Sequence, residues 1–245
     1  MSEDLISNKK AAFYMGCFAN YYYPEVGKAT IKVLRKNEIK VIVPDQVCCA
    51  LPMIAKGNIK GAYKNIEYNT RVLSQLVSDG YALITTCSSC GLMIKRDYPL
   101  LLGSEQTKPV SENLYHISEY LLLLRYRGEL DTDLQHSSQT VFYHTPCHLR
   151  AQEIDNPTVK MLQLIPGITI KHISNECCGM AGAYGYEKVN YELSKGIAGK
   201  LYSEIREIPT DRVVDDCGGC KLQIEAGTGV KVDHPIILLQ EAYNL

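Results

Sequence analysis

Short apolar runs alternate with longer amphipathic segments along the whole chain. In the first part, the runs at residues 11–15, 39–43 and 81–86 are apolar and include β-branched residues, which predicts three buried strands. Residues 24–37 and 59–77 carry apolar positions at helical spacing, which predicts a helix between each pair of strands. The pattern therefore predicts a β-α-β-α-β unit.

The same order returns in the later part of the chain. Further strands are predicted at residues 140–143, 168–173 and 212–214, with helices at residues 157–164 and 187–205 between them. The remaining predicted elements are a helix at residues 117–124, a polar linker at residues 128–138 and a closing helix at residues 235–243.

Strands that alternate with helices form parallel sheets with right-handed crossovers. The predicted fold class is therefore α/β, with two pseudo-symmetric β-α-β-α-β halves. The predicted division is a first cysteine-rich half at residues 1–100, a helical connector and linker at residues 101–138, and a second cysteine-rich half at residues 139–245.

All 10 cysteines of the 245-residue chain belong to a duplicated pattern. The offset is 130 residues from Cys17 to Cys147, 129 from Cys48 to Cys177 and 130 from Cys87 to Cys217. The first set is Cys17, Cys48, Cys49, Cys87 and Cys90, and the second set is Cys147, Cys177, Cys178, Cys217 and Cys220.

Every cysteine group follows a predicted strand. Ligands of parallel sheets bind at the carboxyl ends of the strands. Although the groups are far apart in sequence, we expect the five thiols of each set to converge there. The pattern predicts one metal or redox site in each half.

Soft thiolates suit zinc and iron–sulfur clusters. A structural zinc ion or an ordinary cubane cluster takes four ligands, so five cysteines per set is one more than either needs. Adjacent cysteine pairs suit a larger cluster that is held from two sides, and zinc at the first site remains the alternative. The closely spaced cysteines of a ferredoxin-type cluster domain are absent from the sequence.

Charge and hydropathy narrow the function classes. The formal net charge of -1 gives no reason to expect a nucleic-acid partner. Residues 1–10 are polar and do not resemble a secretory signal, and the apolar run at residues 120–124 falls far short of a membrane span of roughly 20 residues. We expect a cytoplasmic protein that reaches the inner face of a membrane only through partner subunits. In a reducing compartment, metal binding is expected over disulfides.

The spacing of the cysteines and the residues around them resemble the pattern of the cysteine-rich CCG domain family. This family includes the B and D subunits of heterodisulfide reductase and the C subunit of anaerobic glycerol-3-phosphate dehydrogenase, and the motifs of this chain are most similar to those of the C subunit. The resemblance covers residues 12–239. The matching motifs lie at residues 16–21, 143–148, 177–185 and 233–236.

The resemblance implies two noncubane [4Fe-4S] clusters, each held by one complete cysteine set, in a heterodisulfide reductase-like oxidoreductase subunit. It implies a ferredoxin-type [4Fe-4S] subunit and an FAD-containing subunit as partners, and a disulfide or a quinone as substrate. The alternatives are an electron relay between a flavin dehydrogenase (glycerol-3-phosphate, lactate or succinate type) and quinone, and a zinc-binding assembly subunit without a redox role.

Three further residues bear on the site. His144 and His148 flank Cys147 and are predicted as catalytic proton donors, or as hydrogen-bonding neighbours of the cluster; the alternative is loop histidines satisfied by backbone. Ala50 follows Cys48 and Cys49 where the family usually has glycine. If that position needs a positive φ, alanine is strained there and the first site is affected.

Overall fold

The structure, a computed structural model, describes residue 6 and residues 8–245. The interpretation of residues 1–10 as lacking a secretory signal therefore falls mostly outside the described residues. Among the residues that are described, no helix combines the length and the apolar character needed to cross a membrane.

The first half is a four-stranded parallel sheet with its helices. Its strands are β1 (Lys10–Tyr14), β2 (Lys40–Ile42), β3 (Ala82–Thr85) and β4 (Leu114–His116). Its helices are α1 (Pro24–Lys36), α2 (Leu51–Ala55), α3 (Ile59–Ser78), α4 (Ser88–Leu92), α5 (Tyr98–Leu102), α6 (Thr107–Glu112) and α7 (Ile117–Tyr126), with π-helical turns at Phe18–Tyr22 and Met93–Asp97. The strand order is β2-β1-β3-β4.

The second half repeats this sheet. Its strands are β5 (Thr140–His144), β6 (Thr169–Ser174), β7 (Arg212–Asp215) and β8 (Val232–Asp233), in the order β6-β5-β7-β8. Its helices are α8 (Cys147–Arg150), α9 (Pro157–Leu162), α10 (Tyr191–Ile197), α11 (Gly199–Glu207), α12 (Gly218–Thr228) and α13 (Pro235–Ala242), with 3-10 turns at Tyr184–Tyr186 and Lys188–Asn190.

The predicted fold class is confirmed, because both sheets are parallel and the strand orders match. Each sheet also has a short fourth strand that the sequence pattern did not reveal, β4 in the first half and β8 in the second. The predicted division into residues 1–100, 101–138 and 139–245 stays a prediction, and β4 in the middle segment pairs with β3. The helix expected at residues 187–205 is two helices, α10 and α11, preceded by 3-10 turns.

Local sequence explains the long helices. Pro24 occupies the first turn of α1, where its missing N–H costs nothing. The Asn58 side chain accepts a hydrogen bond from the Gly61 N–H at 3.1 Å and caps α3. Along α3, Ala62, Ile66 and Leu73 are fully buried and form the face that packs on the sheet.

Helices from each half pack on the other half. The closing helix α13 packs against α1, and α9 packs against α7. The main hydrophobic core is continuous through both halves, and includes Tyr14 and Leu34 from the first and Tyr143 and Leu239 from the second. This shared core holds the carboxyl ends of the two sheets together.

Candidate metal centre

The two sheets bring their cysteine-bearing ends to one cavity of about 260 Å³. All the thiols expected to converge do so except that of Cys177, and the structure combines both sets at one cavity instead of forming two separate pockets. Nine of the ten cysteines line it: Cys17, Cys48, Cys49, Cys87, Cys90, Cys147, Cys178, Cys217 and Cys220. Cys177 is exposed, and its Sγ accepts a hydrogen bond from the Gly179 N–H at 3.3 Å.

Within the second set, sulfur atoms lie in direct contact. Cys178 Sγ is 2.9 Å from Cys220 Sγ, yet all ten cysteines, which lie within the described residues, are free thiols. In the first set the backbone at Gly16 lies against a sulfur atom, since a Cβ added there would make a tight contact of 3.3 Å with Cys90 Sγ. Converging unbonded thiols are a soft donor set that suits an iron–sulfur cluster or zinc.

The ionisation of the thiols is coupled within each set. Burial, together with the neighbouring Cys87 and Cys49, raises the pKa of Cys17 to about 11. Burial and the neighbouring Cys178 likewise raise the pKa of Cys147 to about 11. Without a cation, the sulfurs of a set therefore resist ionising together, and a bound metal would relieve that repulsion.

Cys217 has the opposite shift. A hydrogen bond from Cys220 lowers the pKa of Cys217 to about 6, and Ser89 adds to the lowering. The backbone N–H of Cys217 is held by the buried carboxylate of Asp215. The start of α12 therefore carries a thiol that favours its ionised form, the form that binds metal.

The residues after the two adjacent cysteine pairs are both in the left-handed region. Ala50 has φ 76° and Gly179 has φ 80°. A Cβ at Gly179 would lie 2.0 Å from the Ser194 carbonyl oxygen, so the second half requires glycine there. Ala50 is fully buried, and its positive φ is the backbone conformation in which alanine is strained.

His144 lies behind the cavity wall and is 1% exposed. Its Nδ1 bonds the Asp215 carboxylate, and its Nε2 donates to the Glu176 carbonyl at 2.8 Å. Burial alone would lower the pKa of His144, but the Asp215 carboxylate outweighs burial and raises it to about 9. The geometry ties the loop before Cys177 to the end of β7. The catalytic role predicted for His144 stays a prediction.

The first half uses neutral groups for the same connections. Tyr14, which occupies the position equivalent to His144, donates its hydroxyl to the Val47 carbonyl at 2.6 Å. Thr85, equivalent to Asp215, accepts from the Cys87 N–H at 3.3 Å. The two sets are thus held alike but in different electrostatic surroundings.

His148 lines the cavity directly. Its Nδ1 lies 2.7 Å from Ser89 Oγ, and burial lowers its pKa. Of the two histidines predicted as proton donors, only His148 faces the space that a substrate would enter, and its catalytic role also stays a prediction.

A second group of ionisable side chains was not predicted from the sequence. His116, Asp216 and His234 are buried together where the halves meet. His234 Nδ1 accepts from the Ile236 N–H and caps α13, and its Nε2 donates to the Thr86 carbonyl of the other half at 3.0 Å. Because both of its ring nitrogens are engaged, His234 makes a structural contact between the halves. The sequence signal that could have indicated this group is a histidine at the N-cap of each of two helices, His116 before α7 and His234 before α13.

The cavity has little charge. Among the described residues that line it there is no lysine, arginine, aspartate or glutamate. Apart from the thiols, the wall is largely apolar or aromatic, including Phe18, Tyr22, Leu51, Met180 and Tyr186. Such a wall favours an uncharged ligand over a carboxylate or a phosphate.

Comparison with known proteins finds the same family in each half of the chain. Residues 11–95 and residues 141–225 each match the family described as the cysteine-rich domain, CCG. The C subunit of anaerobic glycerol-3-phosphate dehydrogenase from Escherichia coli is 34% identical over 235 residues, which cover 95% of this chain and 59% of the relative.

Two further relatives extend the comparison. The B subunit of fumarate reductase (CoM/CoB) from Methanothermobacter marburgensis is 34% identical over 246 residues, which cover 96% of this chain and 47% of the relative. An uncharacterized iron-sulfur protein of Methanococcus maripaludis is 28% identical over 248 residues, which cover 96% of this chain and 47% of the relative. The chain thus spans about half the length of these relatives.

Proposed function

Because the chain belongs to the cysteine-rich CCG domain family, we propose that it is an iron–sulfur, electron-transferring subunit of an oxidoreductase complex. The observation that carries the proposal is the convergence of nine thiols from two complete sets on one weakly charged cavity. The name of the relative from Methanococcus maripaludis, an iron-sulfur protein, agrees with this cofactor class.

The donor chemistry fits two [4Fe-4S] clusters of the noncubane type, one in each half. The first would be held by Cys17, Cys48, Cys49, Cys87 and Cys90, and the second by Cys147, Cys177, Cys178, Cys217 and Cys220. Bound clusters would supply one-electron transfer. The chain holds the thiols in place and limits the access of water to them, since six of the ten are buried.

The proposed substrate class follows from the cavity wall. A heterodisulfide reductase-like role fits best, because a disulfide is uncharged at its reacting atoms and the two cysteine sets face the same space. Cleaving a disulfide to two thiols takes two electrons and two protons. His148 is the group on the wall that can move a proton, and Ser89 holds its ring.

A second candidate is an electron relay between a flavin dehydrogenase and a quinone. It is favoured by the similarity to the C subunit of anaerobic glycerol-3-phosphate dehydrogenase and to the B subunit of a fumarate reductase, whose names place them in dehydrogenase and reductase assemblies. The apolar wall suits a quinone ring as well as a disulfide.

Both candidates need partner subunits. We propose an FAD-containing subunit and a ferredoxin-type [4Fe-4S] subunit, in a cytoplasmic complex that meets the inner face of a membrane only through partners. The similarity to two relatives named as subunits supports such an assembly.

Metal analysis tests the proposal against a zinc-binding assembly subunit. Protein purified without oxygen is assayed for iron, acid-labile sulfide and zinc, and reduced samples are examined by EPR. The proposal predicts iron and sulfide in equal amounts with EPR signals on reduction. Zinc without iron would contradict both redox functions.

Stopped-flow mixing separates the two redox functions. Chemically reduced protein is mixed with an organic disulfide or with a short-chain quinone, and oxidation is followed by absorbance. A disulfide reductase is oxidised by the disulfide, and His148→Gln slows that step. Oxidation by the quinone alone would instead support the relay.

A further inference from the structure

A serine of the first half contacts the cysteine set of the second half. Ser89 lies in α4, between Cys87 and Cys90. Its Oγ is 3.6 Å from Cys217 Sγ and 2.7 Å from His148 Nδ1. A hydroxyl from one half therefore touches a thiol that belongs to the other.

The contact is held by three hydrogen bonds at the same junction, two from the side chain of Gln152 and one between backbone groups. Gln152 Nε2 donates to the Ser88 carbonyl and to the His148 carbonyl, at 3.0 Å each. The Ser88 N–H donates to the Asp216 carbonyl at 3.3 Å. These bonds fix the beginning of α4 against α8 and β7, so Ser89 is positioned by the fold.

The chemistry of the three groups sets the direction of their hydrogen bonds. A metal-bound thiolate can only accept, so the single hydroxyl proton of Ser89 goes to Cys217 Sγ. His148 Nδ1 must then be the protonated ring nitrogen and donate to Ser89 Oγ. The result is a chain of two bonds that ends on sulfur.

The internal duplication supplies a comparison within the same molecule. At the offset of 130 residues, Cys87 is equivalent to Cys217, Gly219 is the counterpart of Ser89, and Phe18 is the counterpart of His148. Gly219 has no side chain to donate, and a Cβ at the adjacent Gly218 would lie 2.2 Å from Phe18 Cγ. Among the residues that the structure describes, Cys87 therefore receives no equivalent bond from a hydroxyl group.

We propose that Ser89 is a positioning residue that makes the two metal centres inequivalent, by donating a hydrogen bond to Cys217 that Cys87 lacks. The inference rests on the proposed iron–sulfur function. A hydrogen bond to a ligating sulfur stabilises the more negative, reduced cluster, so this bond raises the reduction potential of the centre of the second half above the value that the centre would have without it.

Redox titration monitored by EPR tests this on the full chain, purified without oxygen. Ser89→Ala is expected to lower the potential of one centre and leave the other unchanged. The affected centre is identified as the second by the signal that Cys220→Ser removes. Ser89→Thr keeps the hydroxyl and is expected to restore the higher potential.

Two further variants control for structural effects. Ser88→Ala removes a neighbouring hydroxyl that is fully buried and has no hydrogen-bond partner among the described residues, so neither potential should change. His148→Phe introduces the residue of the first half and is expected to lower the same potential as Ser89→Ala.

The outcomes separate this inference from the proposed function. If both centres load with iron and Ser89→Ala shifts neither potential, or shifts both equally, the inference is wrong while the function stands. Wild-type protein without iron overturns both. Should Ser89→Ala fail to load iron, an unchanged potential in His148→Phe overturns the inference.

Discussion

Ala50 and Gly179 occupy equivalent positions with the same backbone conformation but different side chains. An L-residue with a Cβ costs roughly 1–2 kcal/mol in the left-handed region. The first half has an alanine at this position despite that cost, whereas in the second half the Ser194 carbonyl oxygen leaves no space for a Cβ. The two sites therefore differ in how firmly the cysteine loop is set.

Ala50→Gly is expected to raise the free energy of unfolding of the metal-free protein by about 1 kcal/mol, because it removes left-handed strain. Urea unfolding under reducing conditions measures the change. Ala55→Gly, at the exposed end of α2, is the control and should instead destabilise the protein. Equal effects of the two substitutions would show that strain at Ala50 is negligible.

Gly179→Ala is expected to cost about 3 kcal/mol or more, since the strain of a positive φ adds to the contact with the Ser194 carbonyl oxygen. Gly182→Ala is the matched control. Its φ is 69°, but the nearest atom to its added Cβ is 4.0 Å away, so it should show the strain alone. A cost for Gly179→Ala no greater than that of the control contradicts this account.

At the level of elements, the strands and the long helices follow from the apolar pattern, while the site does so only in part. The pattern locates β1, β2, β3, β5, β6 and β7, and with them the cysteines at their carboxyl ends. It misses β4 and β8, because both strands lead directly into the N-cap of the next helix and form no separate apolar run. It also misses Ser89 and Asp215, whose roles depend on contacts made only in the folded chain.

The histidine caps of α7 and α13 join the two halves at equivalent places. The His116 and His234 rings lie 6.5 Å apart, centroid to centroid. Burial lowers the pKa of His234 to about 4; the charge of Lys221 also lowers it, while the bond to the Thr86 carbonyl works in the opposite direction. His234 is thus neutral when the halves are packed together.

Acid is expected to weaken this junction. The unfolded chain binds a proton at His234 near pH 6.5, whereas the folded chain does so only near pH 4, so its stabilising contribution is complete above pH 6.5 and is lost as pH falls towards 4. The loss amounts to about 3 kcal/mol at most.

Comparison with His234→Asn isolates this contribution. Asparagine keeps an oxygen for the helix cap but does not titrate. The stability of the variant is subtracted from that of the wild-type protein at each pH, because both contain Asp216. Burial raises the pKa of Asp216 to about 7, so its protonation increases the free energy of unfolding as pH falls, opposite to the effect of His234. Urea unfolding of both proteins from pH 7 to pH 4 should show a narrowing stability difference. A constant difference contradicts the assignment.

The whole molecule is two similar sheets that present two cysteine sets to one cavity. The duplication explains the shared geometry, and the substitutions between the halves explain why the sites are unequal. The first half has Ala50, Phe18 and Thr85 where the second has Gly179, His148 and Asp215. Two similar sites with different surroundings suit a protein that passes electrons in a fixed order.

The iron content of matched site variants tests the central claim most directly, namely that each half holds its own cluster. Wild-type protein should contain about eight irons per chain, as two four-iron clusters require. Cys87→Ser with Cys90→Ser, and separately Cys217→Ser with Cys220→Ser, should each leave about four. Wild-type iron in both double variants, or zinc alone in the wild-type protein, would contradict it.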